Sequence, residues 1–156
     1  MMAKGESAMS SIAKIAIKGC SGYGPFESAY EDKLTMTATS ITYEYKPLCV
    51  SEENPVRKWS YKTTSQEFGM LFSQIAEFMP SVLEPEIEAH CCDVGMIDFT
   101  VTYEDKSKKR KTYWCTGDEF RDVFALIKML VPSVERTPEV IMVCDDCDDL
   151  EDDPND

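Results

Sequence analysis

The feature that most constrains this fold is a phrase used twice. Residues 61–82 read YKTTSQEFGMLFSQIAEFMPSV, and fifty-two residues later 113–134 read YWCTGDEFRDVFALIKMLVPSV. Nine of the 22 aligned positions are identical, where average composition would give about one. Thr64 with Glu67, and Thr116 with Glu119, each fit a capping box, in which hydroxyl and carboxylate satisfy orphan backbone N–H groups. Behind the caps, Phe68, Leu71, Phe72, Ile75, Phe78 and Met79 recur at helical spacing, as do Phe120, Val123, Phe124, Ile127 and Leu130. Pro80 and Pro132 are expected to stop the two helices. The strands ahead of them also match, ITYEYK at 41–46 with VTYEDK at 101–106, if the loop of the first copy is eight residues longer. The unit is therefore strand–strand–helix, over about 41–82 and 97–134. Duplication and convergence on the same caps and core would both produce it, and every matched residue has a structural job.

The remaining segments extend this unit. IAKIAIK alternates Ile15 and Ile17 against Lys14 and Lys18 and predicts a first strand. GCSGYGP is loop, and AYEDKLTMTATSITYEYKP predicts two strands around a tight turn near Thr39-Ser40. VRKWSYKT predicts a fourth strand, MIDFTVTYE and KTYWC a hairpin with KSKKRK as its turn, and VIMVC a last strand. A hairpin has one apolar face, and a following helix returns across it. The expectation is an α+β fold, an antiparallel sheet of about six or seven strands with two helices on one face. Residues 1–11 read as a flexible leader, 12–144 as a single domain and 145–156 as a disordered acidic tail.

Composition enters where function is concerned. A chain of 156 residues with 43% hydrophobic residues buries a real core. It has no apolar run approaching the ~20 residues that span a bilayer, and its first residues lack the apolar core of a signal peptide. Seven cysteines, an odd number, suit a reducing compartment. The expected location is cytoplasmic. The net charge of −13 is concentrated at the C-terminus, where residues 145–156 hold eight acids and no base. Asp145, Asp146, Asp148, Asp149, Glu151, Asp152 and Asp153 are the candidate partner-binding residues. Against the trend, Lys106, Lys108, Lys109, Arg110 and Lys111 form a basic loop, onto which the tail can fold back. Such acidity repels nucleic acid and favours a basic protein partner, with no direct nucleic-acid binding expected.

Chemistry-bearing motifs are few. Cys144 and Cys147 form CxxC, and with Cys91, Cys92 or His90 they can make a four-coordinate zinc site. Zinc is the one cofactor this set can hold, though a single CxxC pair is a thin signal and the baseline expectation is no cofactor. A redox role is disfavoured because Asp145, Asp146, Asp148 and Asp149 would raise the thiol pKa. His90 beside the two cysteines has no framing motif for a nucleophile and base. Gly19, Gly22 and Gly24 lead into Pro25 and a strand, without the helix N-terminus a phosphate loop needs. The tryptophans and tyrosines lie mostly on predicted strands, either in the core or on an open sheet face.

The loop carrying Cys20, Tyr23, Gly24 and Pro25, followed by the strand at Tyr30, resembles small bacterial α+β domains of uncharacterised function with a Cys-Tyr-Gly-Pro-type loop. Phe26 stands where that pattern has a second cysteine. In topology the chain is also similar to emfourin-type protease inhibitors, which begin with a strand and a Gly-rich turn. Neither resemblance assigns an activity, and both favour a binder without enzymatic activity. The expected function is an acidic interaction domain, an inhibitor or antagonist of a basic protein such as a nuclease, a nucleic-acid-handling enzyme or a toxin, in the manner of an immunity protein or phage antagonist. The alternatives are a zinc-stabilised binding module and an enzyme of unrecognised class.

Overall fold

Six strands form one antiparallel sheet in the order β4-β3-β2-β1-β5-β6. A computed structural model describes residues 11–21, 29–84, 95–114 and 120–142. The strands are β1 (Ile12–Cys20), β2 (Tyr30–Thr37), β3 (Ser40–Pro47), β4 (Arg57–Lys62), β5 (Met96–Tyr103) and β6 (Lys108–Trp114), with helices α1 (Gln66–Leu83) and α2 (Arg121–Lys128). Each hairpin places its second strand, β4 or β6, at an edge of the sheet and its first strand inside.

Period-two alternation sorts the side chains. Ile15 lies opposite Met36 and Val101, and Ile17 opposite Leu34 and Phe99, and all are fully buried. This face meets the helices: Phe68, Phe72, Ile75 and Met79 from α1, and Val123, Phe124 and Ile127 from α2. Phe99 anchors the second half, with ring centroids 5.0 Å from Phe120 and 6.1 Å from Tyr113. Both helices cover the same face, as the economy of the repeated unit predicts.

Five local expectations are corrected. First, Ser65 caps α1: its Oγ accepts from Phe68 N at 3.2 Å, so Thr64 with Glu67 is not the capping pair. Second, Pro80 lies inside α1 and does not end it. The helix continues because Val82 and Leu83 are buried and the Val82 carbonyl accepts from the Tyr113 hydroxyl. Third, the hairpin turn is 104–107 and the basic run from Lys108 onward is strand β6. The turn closes through Tyr103 N to Ser107 O and Lys106 N to Tyr103 O, with Asp105 Oδ1 accepting from Ser107. Fourth, VIMVC does not begin a strand, because Glu139–Ile141 is a single 3-10 turn. Fifth, the strand register pairs Ile41 with Tyr61 and Ile97 with Tyr113, so Ile41 corresponds to Ile97, not to Val101. The Thr116–Glu119 cap lies outside the described residues.

Candidate interaction surface

The face turned away from the helices is uncovered among the described residues, and the same alternation that builds the core fixes its composition. Across its middle run Ser60, Thr42, Thr35, Ala16, Thr100 and Arg110. The adjacent row runs Lys58, Glu44, Lys33, Lys18, Asp98 and Thr112. Hydroxyls and charges replace the apolar side chains of the other face. The described aromatic side chains take the helix side: Tyr43, Tyr45 and Tyr113 are buried, and Trp59, Tyr30 and Tyr103 pack against the core.

This face is basic. Strand β1 contributes Lys14 and Lys18, β2 Lys33, β3 Lys46, β4 Lys58 and Lys62, and β6 Lys108 and Arg110. All eight are exposed, against three acids, Glu31, Glu44 and Asp98, which leaves a net +5. Asp98 is buried and already matched: Arg110 Nε lies 3.1 and 3.0 Å from its two oxygens, and Thr112 Oγ1 donates at 3.0 Å. Lys46 pairs with Glu44 at 3.6 Å. Lys14, Lys18, Lys33, Lys58, Lys62 and Lys108 make no ion pair among the described residues.

Charge is segregated along the chain as well. Fifteen of the 16 Lys and Arg, but only 14 of the 29 Asp and Glu, lie among the described residues, which together carry +1. The remaining segments carry −14, eight of it in residues 145–156. The body is a basic-faced sheet, and the acidity sits elsewhere in the chain.

One buried polar cluster stands at the end of the sheet where the described chain finishes. Asp32 points to the helix side between Leu34 and the β1 end, and is buried. Its Oδ2 accepts from Tyr43 OH at 2.7 Å and from Val140 N at 2.9 Å, and Tyr43 OH in turn accepts from Glu139 N at 3.2 Å. Oδ1 has no partner among the described residues. Burial pushes the Asp32 carboxyl up to about 6 and outweighs the two hydrogen bonds, which act the other way, while nearby Glu139 adds to the rise and Arg57 opposes it. Gly19 makes room for the cluster: a Cβ there would lie 2.6 Å from Val140 Cγ2 and 2.9 Å from Asp32 Oδ1. Cys20 lies nearby, and burial pushes its thiol up, away from the thiolate a nucleophile requires. Desolvation likewise pushes the Tyr30 and Tyr43 hydroxyls up, with the Asp32 charge adding to it. These groups clamp the 3-10 turn to the sheet.

An open groove of about 440 Å³ lies elsewhere, between the start of α1 and the segment after α2, with Tyr61, Phe68, Leu71, Met129 and Val134 among its walls. Val134 is 88% exposed and Met129 63%.

The structure divides the sequence-predicted site residues. Lys108 and Arg110 join the open face, Lys109 and Lys111 take the other phase of edge strand β6, and Lys106 sits in the turn at φ 75°. Asp145, Asp146, Asp148, Asp149, Glu151, Asp152 and Asp153 lie outside the described residues, as do Cys144, Cys147, Cys91, Cys92 and His90. Among the described residues no group of three or more His, Cys, Asp and Glu is placed to hold a metal. No helix among them is long and apolar enough to cross a membrane. No family model and no curated protein matches this chain. The six-strand basic face was missed from sequence because its cations are spread over five strands. Only alternation of Lys with Thr and Ser inside each strand signals it.

Proposed function

We propose that this chain is a non-enzymatic interaction domain that antagonises a basic protein, a nuclease, nucleic-acid-handling enzyme or toxin, through its acidic segment 145–156. The observation that supports this is the segregation of charge: the described residues carry +1, and the rest of the chain −14. A basic partner is drawn to the acidic segment by long-range attraction, which speeds and selects the encounter. The groove with exposed Met129 and Val134 offers apolar area that a bound partner can cover.

The test is affinity capture with the full chain and with a chain of equal length whose acids from Asp145 to Asp156 are replaced by Asn and Gln. The expected result is a basic protein retained by the first and lost by the second. Capture of no basic protein by the full chain, or of the same proteins by both, refutes the proposal.

A further inference from the structure

The open face and the acidic segment carry opposite charge within one molecule, a net +5 against −8. The face holds eight exposed cations and three acids, and 145–156 holds eight acids and no base. We infer that the open basic face of the sheet is a docking surface whose occupant is the chain's own acidic segment Asp145–Asp156. This goes beyond the proposed partner: it assigns the same acidic segment a contact within the chain, which cross-linking reads whether or not a basic protein is captured.

Three observations carry it. The first is position. Met142, where the described chain ends, lines a cavity of about 230 Å³ beside Arg121 and Lys128 of α2 and also a notch of about 210 Å³ together with Gly19, Cys20 and Met96, so the chain leaves from the strand ends beside the helix layer and has to pass that end of the sheet to reach the open face. Cys20 and Met96 face each other across β1 and β5 in the phase of the open face. The Asp32 and Tyr43 hydrogen bonds to Val140 and Glu139 fix the chain at that margin of the sheet. The second is reach. Fourteen residues follow Met142, which extend to about 48 Å. The sheet is about 24 Å from β4 to β6 at the usual strand spacing. The third is availability, because six of the eight cations make no ion pair among the described residues. Their mutual repulsion is relieved by any polyanion, and a tethered one is present at an effective concentration on the order of millimolar.

The test is zero-length carbodiimide cross-linking of the full chain, mapped by mass spectrometry. Tail carboxylates should link to Lys14, Lys18, Lys33, Lys58, Lys62 or Lys108, with the yield falling at least tenfold in about 1 M salt. The double variant Lys18→Glu, Lys33→Glu, whose positions face each other at the exposed centre of the surface, should lose the links at both positions and show a severalfold lower yield at Lys14, Lys58, Lys62 and Lys108 while keeping its circular dichroism. Links confined to other lysines, or salt-independent yields, overturn the inference. A second arm adds a labelled peptide of sequence 145–156 and a single-stranded oligonucleotide to the tail-neutralised chain. Peptide binding at least tenfold tighter than to the unmodified chain supports the inference. Oligonucleotide binding without peptide binding assigns the face to nucleic acid and overturns it.

Discussion

Asp32→Asn isolates the energetic cost of the buried carboxyl. In the folded chain burial holds this group at about 6 against an ordinary 3.8. The gap corresponds to about 3 kcal/mol, at about 1.4 kcal/mol per tenfold change in proton affinity. Between these two values the folded chain binds more protons than the unfolded one, so stability falls as pH rises. The Asp32 contribution is therefore most favourable below about pH 4 and is diminished by about 3 kcal/mol above about pH 7. Every other carboxylate adds its own dependence, so the informative quantity is the difference between the native chain and Asp32→Asn, which cannot ionise there. Urea unfolding at about pH 4, 5, 6 and 7 and constant ionic strength gives that difference. It should shrink in favour of the variant by about 2.4 kcal/mol between about pH 4 and 7, the rest of the roughly 3 kcal/mol lying below about pH 4. A difference that is flat, or that grows in favour of the native chain as pH rises, refutes a desolvated carboxyl at the clasp.

Other substitutions test neighbouring parts of the fold. Gly19→Ala should cost about 1–3 kcal/mol, because its Cβ enters Val140 at 2.6 Å, and faster amide exchange at Val140 should accompany the loss. Phe99→Ala should cost about 3–5 kcal/mol in chemical unfolding, since Phe99 is fully buried among Tyr113, Phe120 and Phe124. Ser65→Ala should cost about 1 kcal/mol, whereas Thr64→Ala should cost much less if Ser65 is the cap. For the zinc-module alternative, elemental analysis of chelator-free protein is decisive, and less than about a tenth of an equivalent excludes a structural zinc site.

The sheet was legible where one side of a strand is apolar. Ile15 and Ile17, Leu34 and Met36, and Ile97, Phe99 and Val101 announce both strand and buried face by period two. The helical stripes were legible for the same reason, at period 3.6. Sequence reasoning failed where a distant group overrides a local signal. Pro80 looks like a terminator, but tertiary burial of Val82 and Leu83, with Tyr113 bonded 31 residues away, carries the helix past it. VIMVC looks like a strand, but Asp32 and Tyr43 claim the amides of Val140 and Glu139 from 108 and 96 residues away and set a 3-10 turn. KSKKRK looks like a loop because cations crowd it, yet Lys108 onward completes the ladder with β5. The basic face illustrates the same limit. Lys18 and Lys33 become neighbours only through strand pairing, and net chain charge gives no hint of them because the acids lie elsewhere.

The most direct measurement is the affinity of a captured basic partner for the full chain and for the tail-neutralised chain, from about 50 mM to about 500 mM salt. Segregated charge predicts that the full chain binds more tightly at low salt, that its affinity falls steeply as salt rises, and that neutralisation abolishes both effects. Equal affinities for the two chains, with no dependence on salt, would contradict it.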